Sequence, residues 1–235
     1  MTTDDARDRE RRHFFLRRLH SLSGVVPVGL FLVVHLWTNA RALGGRDAFN
    51  HAVGDLQAMP LLGLIEVFGI FLPLVFHAVY GLAITARASP NAMRYGYTRN
   101  WLYVLQRVTG LIAFAFIALH VWQFRAQKLL GLARWQDFYA DLGRLLGSNG
   151  MFAVYFLGVT ASVFHFANGL WLFANTWGVT VGARSMRRAA ITCGVVGVAL
   201  WALGVNTLLH FTYRCGGVIP LPGAQVERVC RGDGG

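Results

Sequence analysis

Charge is what this 235-residue chain has least of. Only 14% of its residues are Asp, Glu, Lys or Arg, 55% are apolar, and its mean hydropathy is positive. Soluble domains average about 25% charged residues, so too little solvated surface is available for a soluble globular fold. Acidic residues are especially scarce, 11 against 22 Lys and Arg, which leaves a net charge of +11. Cysteine is nearly absent. Cys193 lies in an apolar run, and Cys215 and Cys230 lie in the C-terminal tail. That is too few, and too scattered, for an iron–sulfur cluster with about four cysteine ligands. A P-loop, a G-x-G-x-x-G turn and a Ser-His-Asp arrangement are also missing.

What the chain does have is long apolar runs. Five of them, near 22–40, 61–86, 101–124, 151–177 and 189–213, approach or exceed the ~20 residues that cross a bilayer as a helix. They predict an all-α membrane protein with one helical domain. The first run is not a cleaved signal peptide, being too long and followed by four more.

The arginines are placed by topology. Arg7, Arg9, Arg11, Arg12, Arg17 and Arg18 precede the first run. Arg87, Arg94, Arg99 and Arg107 surround the second connection, and Arg184, Arg187 and Arg188 the fourth. The other two connections dilute their basic residues with Asp47, Asp55, Asp137 and Asp141. The positive-inside rule then puts the N-terminus in the cytoplasm and the C-terminus outside. This clustering argues against nucleic acid, and a basic cytoplasmic face also suits a soluble protein partner. The outer connections, 41–60 and 125–150, each read as holding a short interfacial helix. Residues 1–12 read as disordered or partner-bound, and the Gly- and Pro-rich tail after Arg214 as irregular. In that outer tail Cys215 and Cys230 meet an oxidising compartment, where bridged and free states are equally compatible with the sequence.

Of eight histidines, His13 and His51 fall outside the runs. His20 is at the cytoplasmic mouth of the first, and His210 near the outer end of the fifth. His35, His77, His120 and His165 fall one in each of runs 1 to 4. A single buried histidine is commonly just an interhelical hydrogen bond, but intramembrane ionisable groups are costly and usually functional. Depth sorts the four. His35 lies 17 residues beyond Arg18 and His120 lies 13 beyond Arg107, roughly 25 and 20 Å from the cytoplasmic boundary at 1.5 Å per residue. His77 lies 10 residues before Arg87 and His165 lies 12 before Trp177, roughly 15 and 18 Å by the same measure.

Two tiers of two histidines suit two six-coordinate haems in a four-helix bundle formed by helices 1–4. Zinc or copper usually wants three or four close protein ligands. A proton relay is the other reading, with Glu66 its main acidic candidate. No C-x-x-C-H occurs, so a haem here is b-type. Gly24, Gly81, Gly110 and Gly169 can open room between helices, and Arg17, Arg18, His20, Ser21 and Arg107 can meet propionates at the inner face.

Four stretches carry a resemblance: "FFLRRLHSLSGVVPVGLFLVVHL", "FLPLVFHAVYGL", "RNWLYVLQRVTGLIAFAFIALHVW" and "FHFANGLWLFANTWGVTV". Together they closely resemble the dihaem cytochrome b anchor of bacterial succinate:quinone oxidoreductases, the single-chain five-helix type. The likeness covers residues 13–190. It implies a multi-pass protein of the bacterial inner membrane, with His77 and His165 on a proximal haem b and His35 and His120 on a distal one. Arg17 to Gly24 resembles the family's proximal propionate-binding segment. A flavoprotein and an iron–sulfur protein are the implied partners, and succinate chemistry would reside in them. The electron acceptor would be a quinone, in such bacteria commonly menaquinone. Related fumarate reductases are thought to carry compensating protons on a glutamate two residues before the fourth-helix histidine; here that position is Val163.

A quinone needs an apolar slot with one or two polar groups, and Asn39, Arg41, Glu66, Trp122 and Gln123 are candidates near the distal tier. Each has an ordinary alternative as an interfacial or helix-end residue. Two other functions remain open from the sequence: an anchor whose histidines pack without haem, and a haem-bearing anchor of a different quinone-linked dehydrogenase.

Overall fold

The computed structural model describes residues 3–89, 93–132 and 137–214, and every regular element among them is helical. Cys215 and Cys230 lie outside the described residues. Helix α1 runs unbroken through Thr3–Ser23, a π-helical stretch Gly24–Gly29, Leu30–Asn39 and a 3-10 end Ala40–Gly44. Helix α2 is Arg46–Gln57. Helix α3 joins Leu62–Leu64, a π stretch Ile65–Phe71 and Leu72–Ala86. Helix α4 joins Thr98–Val121, a π stretch Trp122–Ala126 and Gln127–Leu129. Then come α5 (Phe138–Leu146), α6 (Asn149–Thr176) and α7 (Ala183–Arg214).

Five of these are long and apolar enough to cross a membrane: Arg7–Gly44, Leu62–Ala86, Thr98–Leu129, Asn149–Thr176 and Ala183–Thr212. Helix is the form a lone apolar segment must take there, since lipid offers its backbone no hydrogen-bond partner. Leu30, Trp37, Phe68, Leu72 and Val79 accordingly stand on the outside of the bundle. α2 and α5 are the two short helices expected in the longer connections. At the N-terminus helical backbone begins at Thr3, where composition had suggested disorder or a partner. Charged residues are tolerable helix formers, and Arg9 Nε donates to the Asp5 carbonyl at 3.3 Å.

Helices α1, α3, α4 and α6 close a four-helix bundle: α1 packs on α3 and α6, and α4 packs on α6 and α3. α7 lies outside it, along α6 and the far half of α1. Within α1, Pro27 falls inside the π stretch. A helix-interior proline lacks an N–H and crowds the carbonyl four residues back, and the wider turn accommodates both defects.

At the end away from the N-terminus, α2 and α5 fold over α7. Ala42, Phe49, Tyr139, Leu146, Tyr155, Leu208 and Phe211 form one core there. Gly45, at φ 92°, turns the chain back from α1 into α2. Asp137 holds the two short helices together. Its Oδ1 accepts from Asn50 Nδ2 at 2.8 Å and from the Ala140 N–H at the start of α5 at 3.2 Å. Arg46 on α2 pairs with its other oxygen, and Asn50 Oδ1 accepts the Tyr139 N–H at 3.1 Å. Desolvation pushes the Asp137 pKa up, but these hydrogen bonds and the Arg46 guanidinium outweigh it and hold the carboxyl below its ordinary range.

Candidate functional site

The four bundle histidines meet in two pairs. His77 on α3 faces His165 on α6, with ring centroids 6.1 Å apart and planes 86° apart. His35 on α1 faces His120 on α4 at 5.6 Å and 79°. The pairs lie at different levels. His20 stacks on His77 at 4.1 Å, with ring planes 13° apart, and His35 follows 15 residues later on the same helix, roughly 22 Å along its axis. The tiers read from sequence spacing are therefore the pairs brought together in space.

Each ring's second nitrogen matters as much as its position. His77 Nδ1 sits 3.0 Å from the His20 carbonyl and His165 Nδ1 sits 2.9 Å from the Gln106 carbonyl. A carbonyl only accepts, so both rings carry their proton on Nδ1; this leaves the Nε2 lone pair of His77 for a metal, while that of His165 faces the Gln106 amide nitrogen at 3.5 Å, a contact that a metal would replace. His120 reaches the same state through a side chain. Tyr155 donates its hydroxyl hydrogen to Gln123 Oε1 at 2.6 Å, and its oxygen lies 3.4 Å from His120 Nδ1. With that hydrogen engaged, the phenol oxygen can only accept from His120. Around His35, the Asn39 amide donates to the His35 backbone carbonyl at 2.7 Å.

Glycines make room for the rings near the N-terminal end. A Cβ on Gly24 would stand 2.6 Å from His77 Nδ1, one on Gly110 2.8 Å from His165 Cε1, and one on Gly81 3.1 Å from His20 Cε1. One on Gly169 would meet Gln106 Nε2 at 3.3 Å. All four glycines singled out from the sequence thus face a histidine or the glutamine beside it.

The residues expected to meet propionates divide. His20 Nδ1, Arg18 Nε and Arg107 Nε are buried without a hydrogen-bond partner. The Arg18 guanidinium lies between the Phe14 and Trp177 rings, 4.9 and 4.8 Å from their centroids. Arg107 donates to the Tyr103 carbonyl at 2.8 Å and covers that tyrosine's ring. Ser21 is half-buried, and Arg17 is exposed.

The quinone candidates divide too. Glu66 is in the π stretch of α3 and ion-pairs with Arg125 in the π stretch of α4. Gln123, in that same stretch, is engaged by Tyr155. Trp122 and Arg41 are exposed at the same end of the bundle. Sequence reasoning missed Arg125, Tyr155, Gln106 and Asn168, whose amide donates to Gln106 Oε1 at 2.7 Å. Their available signal was a polar side chain inside or at the end of an apolar run.

This donor set fits a haem better than a bare metal ion. Imidazole nitrogens bind first-row metals at about 2 Å, so two on opposite sides of one ion place their ring centroids about 6 Å apart, close to both observed spacings. Among the described residues no group of three or more His, Cys, Asp or Glu could hold a metal ion. A porphyrin would supply the four ligands each pair lacks. The orphaned Arg18, His20 and Arg107 nitrogens, toward the N-terminal end, provide donors for carboxylates.

Two comparisons with known proteins bear on the family of this chain. The family described as the succinate dehydrogenase/fumarate reductase transmembrane subunit matches residues 85–205. The chain is also similar to the succinate dehydrogenase cytochrome b558 subunit of Bacillus subtilis (strain 168). The two are 46% identical over 200 residues, spanning 85% of this chain and 98% of that protein. An all-helical, five-span bundle that matches the family over α4, α6 and most of α7, and this relative over nearly its whole length, leaves one assignment: the chain belongs to the transmembrane-subunit family of succinate dehydrogenases and fumarate reductases.

Proposed function

We propose that this chain is the dihaem cytochrome b anchor of a bacterial succinate:quinone oxidoreductase. In this reading His77 and His165 hold an inner haem b, and His35 and His120 hold an outer one. The arrangement that carries it is the pair of crossed imidazole couples, with the Nδ1 atoms of His77, His165 and His120 each engaged by an acceptor. When bound, the two haems supply one-electron carriers at two depths of the bilayer. The chain's own work is to fix their ligands, exclude water and lipid, and offer surfaces at either end.

At the inner end, Arg18, His20 and Arg107 bind propionates, with Arg17 and Ser21 on the same segment of α1. The exposed arginines of α1 face the flavoprotein and iron–sulfur subunits, where succinate chemistry takes place. The N-terminus is then cytoplasmic and the C-terminus outside, in the bacterial inner membrane. At the outer end, a quinone slot lies near Asn39, Arg41, Glu66, Trp122 and Gln123. Menaquinone is the quinone we assign to it. The Glu66–Arg125 pair supplies fixed polarity there.

The test is to purify the assembled complex, identify its subunits and record its spectrum during a redox titration. Two low-spin b haems and two soluble partners are expected. His77→Ala or His165→Ala should abolish or convert the inner haem, and His35→Ala or His120→Ala the outer one. A fully assembled complex without Soret absorption would overturn the reading.

A further inference from the structure

The two histidine pairs are anchored differently. His77 and His165 lean on backbone carbonyls, those of His20 and Gln106. A backbone acceptor is fixed by the helix that carries it and no substitution removes it. His120 instead leans on the Tyr155 phenol, whose orientation depends in turn on the Gln123 amide. The outer end therefore contains a ligand whose electronic state is set by side chains.

Tyr155 is built to stay where it is. Its residue is only 4% exposed and belongs to the core that α2, α5 and α7 close over. Its ring meets Phe116 edge-on at 5.1 Å and 89°, and meets His120 at 5.9 Å and 68°. Phe116 is itself locked against α6, because a Cβ on Gly158 would overlap its ring. His120 is further flanked by Phe116 at 5.9 Å and Phe124 at 5.0 Å. The imidazole is thus walled by aromatic carbon, with the Tyr155 oxygen the polar atom its Nδ1–H meets.

We infer that Tyr155 is a positioning residue that sets the redox potential of the outer haem through His120, and that Gln123 holds it in that role. The proposal rests on the haem reading above. An imidazole whose Nδ1–H is hydrogen-bonded is a stronger electron donor through Nε2. A stronger donor favours ferric over ferrous iron, so the bond lowers the outer potential. Because Gln123 belongs to the π stretch shared with Arg125, which pairs with Glu66, a ligand that takes the Gln123 amide also disturbs the Tyr155 contact.

Tyr155→Phe removes the hydroxyl and keeps the ring packing. Redox titration of the assembled complex, followed in the haem α-band and by electron paramagnetic resonance, reads each haem separately. Losing one such bond should raise the outer haem's ferrous-to-ferric ratio about fivefold at fixed ambient potential. Its low-spin resonance should shift while the inner haem stays put. Gln123→Leu should move the outer haem in the same direction by a smaller factor, and serves if Tyr155→Phe fails to assemble. Both haems present, with the outer ratio unmoved in either variant or both haems shifted alike, would overturn the assignment of Tyr155. A wild-type complex with a single haem would instead remove the haem reading, and this inference with it.

Discussion

Gly110 lies directly against His165: a methyl group on its Cα would stand 2.8 Å from the imidazole Cε1. Gly24 stands in the same relation to His77 across the bundle, at 2.6 Å from Nδ1. Contacts that short force something to move, and each ring is held from behind by a backbone carbonyl. Gly110→Ala and Gly24→Ala should therefore displace the inner ligands and lower inner-haem occupancy at least several-fold, leaving the outer haem bound. Gly194→Ala, where the added methyl meets nothing within 4 Å, is the control. Haem content per assembled complex measures it, and full occupancy in Gly110→Ala would show that the fit is looser than described.

The cap over the far end predicts an acid-sensitive contact. The Asp137 carboxyl has its pKa held down in the folded chain. Its contribution to stability is thus complete above the ordinary carboxylate range, and is lost as pH falls through the lowered folded value. Asp137→Ala removes a helix cap and a partner of Asn50 and Arg46 at once, costing about 1–2 kcal/mol. The expected result is a lower unfolding temperature at neutral pH, with the difference from wild type closing in acid. A constant difference across pH would mean that the charge contributes nothing.

On the N-terminal segment the arginines separate into two kinds. Arg11, Arg12 and Arg17 are exposed, whereas Arg18 is enclosed between Phe14 and Trp177. Replacing Arg11, Arg12 and Arg17 together with glutamine should loosen the soluble subunits, most visibly at low salt, where wild type gains most from unscreened charge. Arg18→Gln should act on the inner haem instead. Co-purification over a salt series checks this, and unchanged retention would place the docking surface elsewhere.

Val163 sets an energetic prediction. It is 2% exposed and shares a core with Leu36 and Leu200, so an aliphatic wall stands where related fumarate reductases are thought to have a glutamate. If electrons enter from the cytoplasmic side and menaquinone takes its protons from outside, charge moves across the membrane. One charge through 100 mV is worth about 2.3 kcal/mol. Succinate:menaquinone activity in coupled vesicles should fall on adding an uncoupler, while reduction of a soluble acceptor does not. No change, or an equal fall in both, would rule out charge movement.

Much of this was legible in the chain because the membrane imposes one dimension on it. A histidine's distance along a helix from the nearest arginine, or for His165 from Trp177, is also its depth, so His35 with His120 and His77 with His165 could be matched before any fold was known. α2 and α5 were visible as amphipathic segments between apolar runs. The partners that finish the site were not. Tyr155 is 35 residues from His120, Gln106 is 59 from His165 and Arg125 is 59 from Glu66. Which polar side chain meets which ring depends on helix rotation, and apolar runs facing lipid on one side and a wide bundle interior on the other carry little rotational signal. The start of α1 at Thr3 was hidden for a different reason: a charged helix beyond the bilayer has no apolar face to announce it.

The π stretches bear on how this protein tolerates gain or loss of a residue. A π turn is in effect one residue added to an α-helix, and each residue turns the helix by about 100°. The stretch Gly24–Gly29 lies between His20, which stacks on His77, and His35, which meets His120. Deleting Pro27 would let α1 relax to a regular helix through this stretch. It would leave His35 at nearly its present rotation relative to His20, because the π turn already absorbs the extra residue, so one rotation of α1 would still serve both tiers. The same holds for aligning distant relatives: a one-residue gap inside 24–29 is a π turn gained or lost, and a histidine displaced by one position on its far side is still in register with its partner.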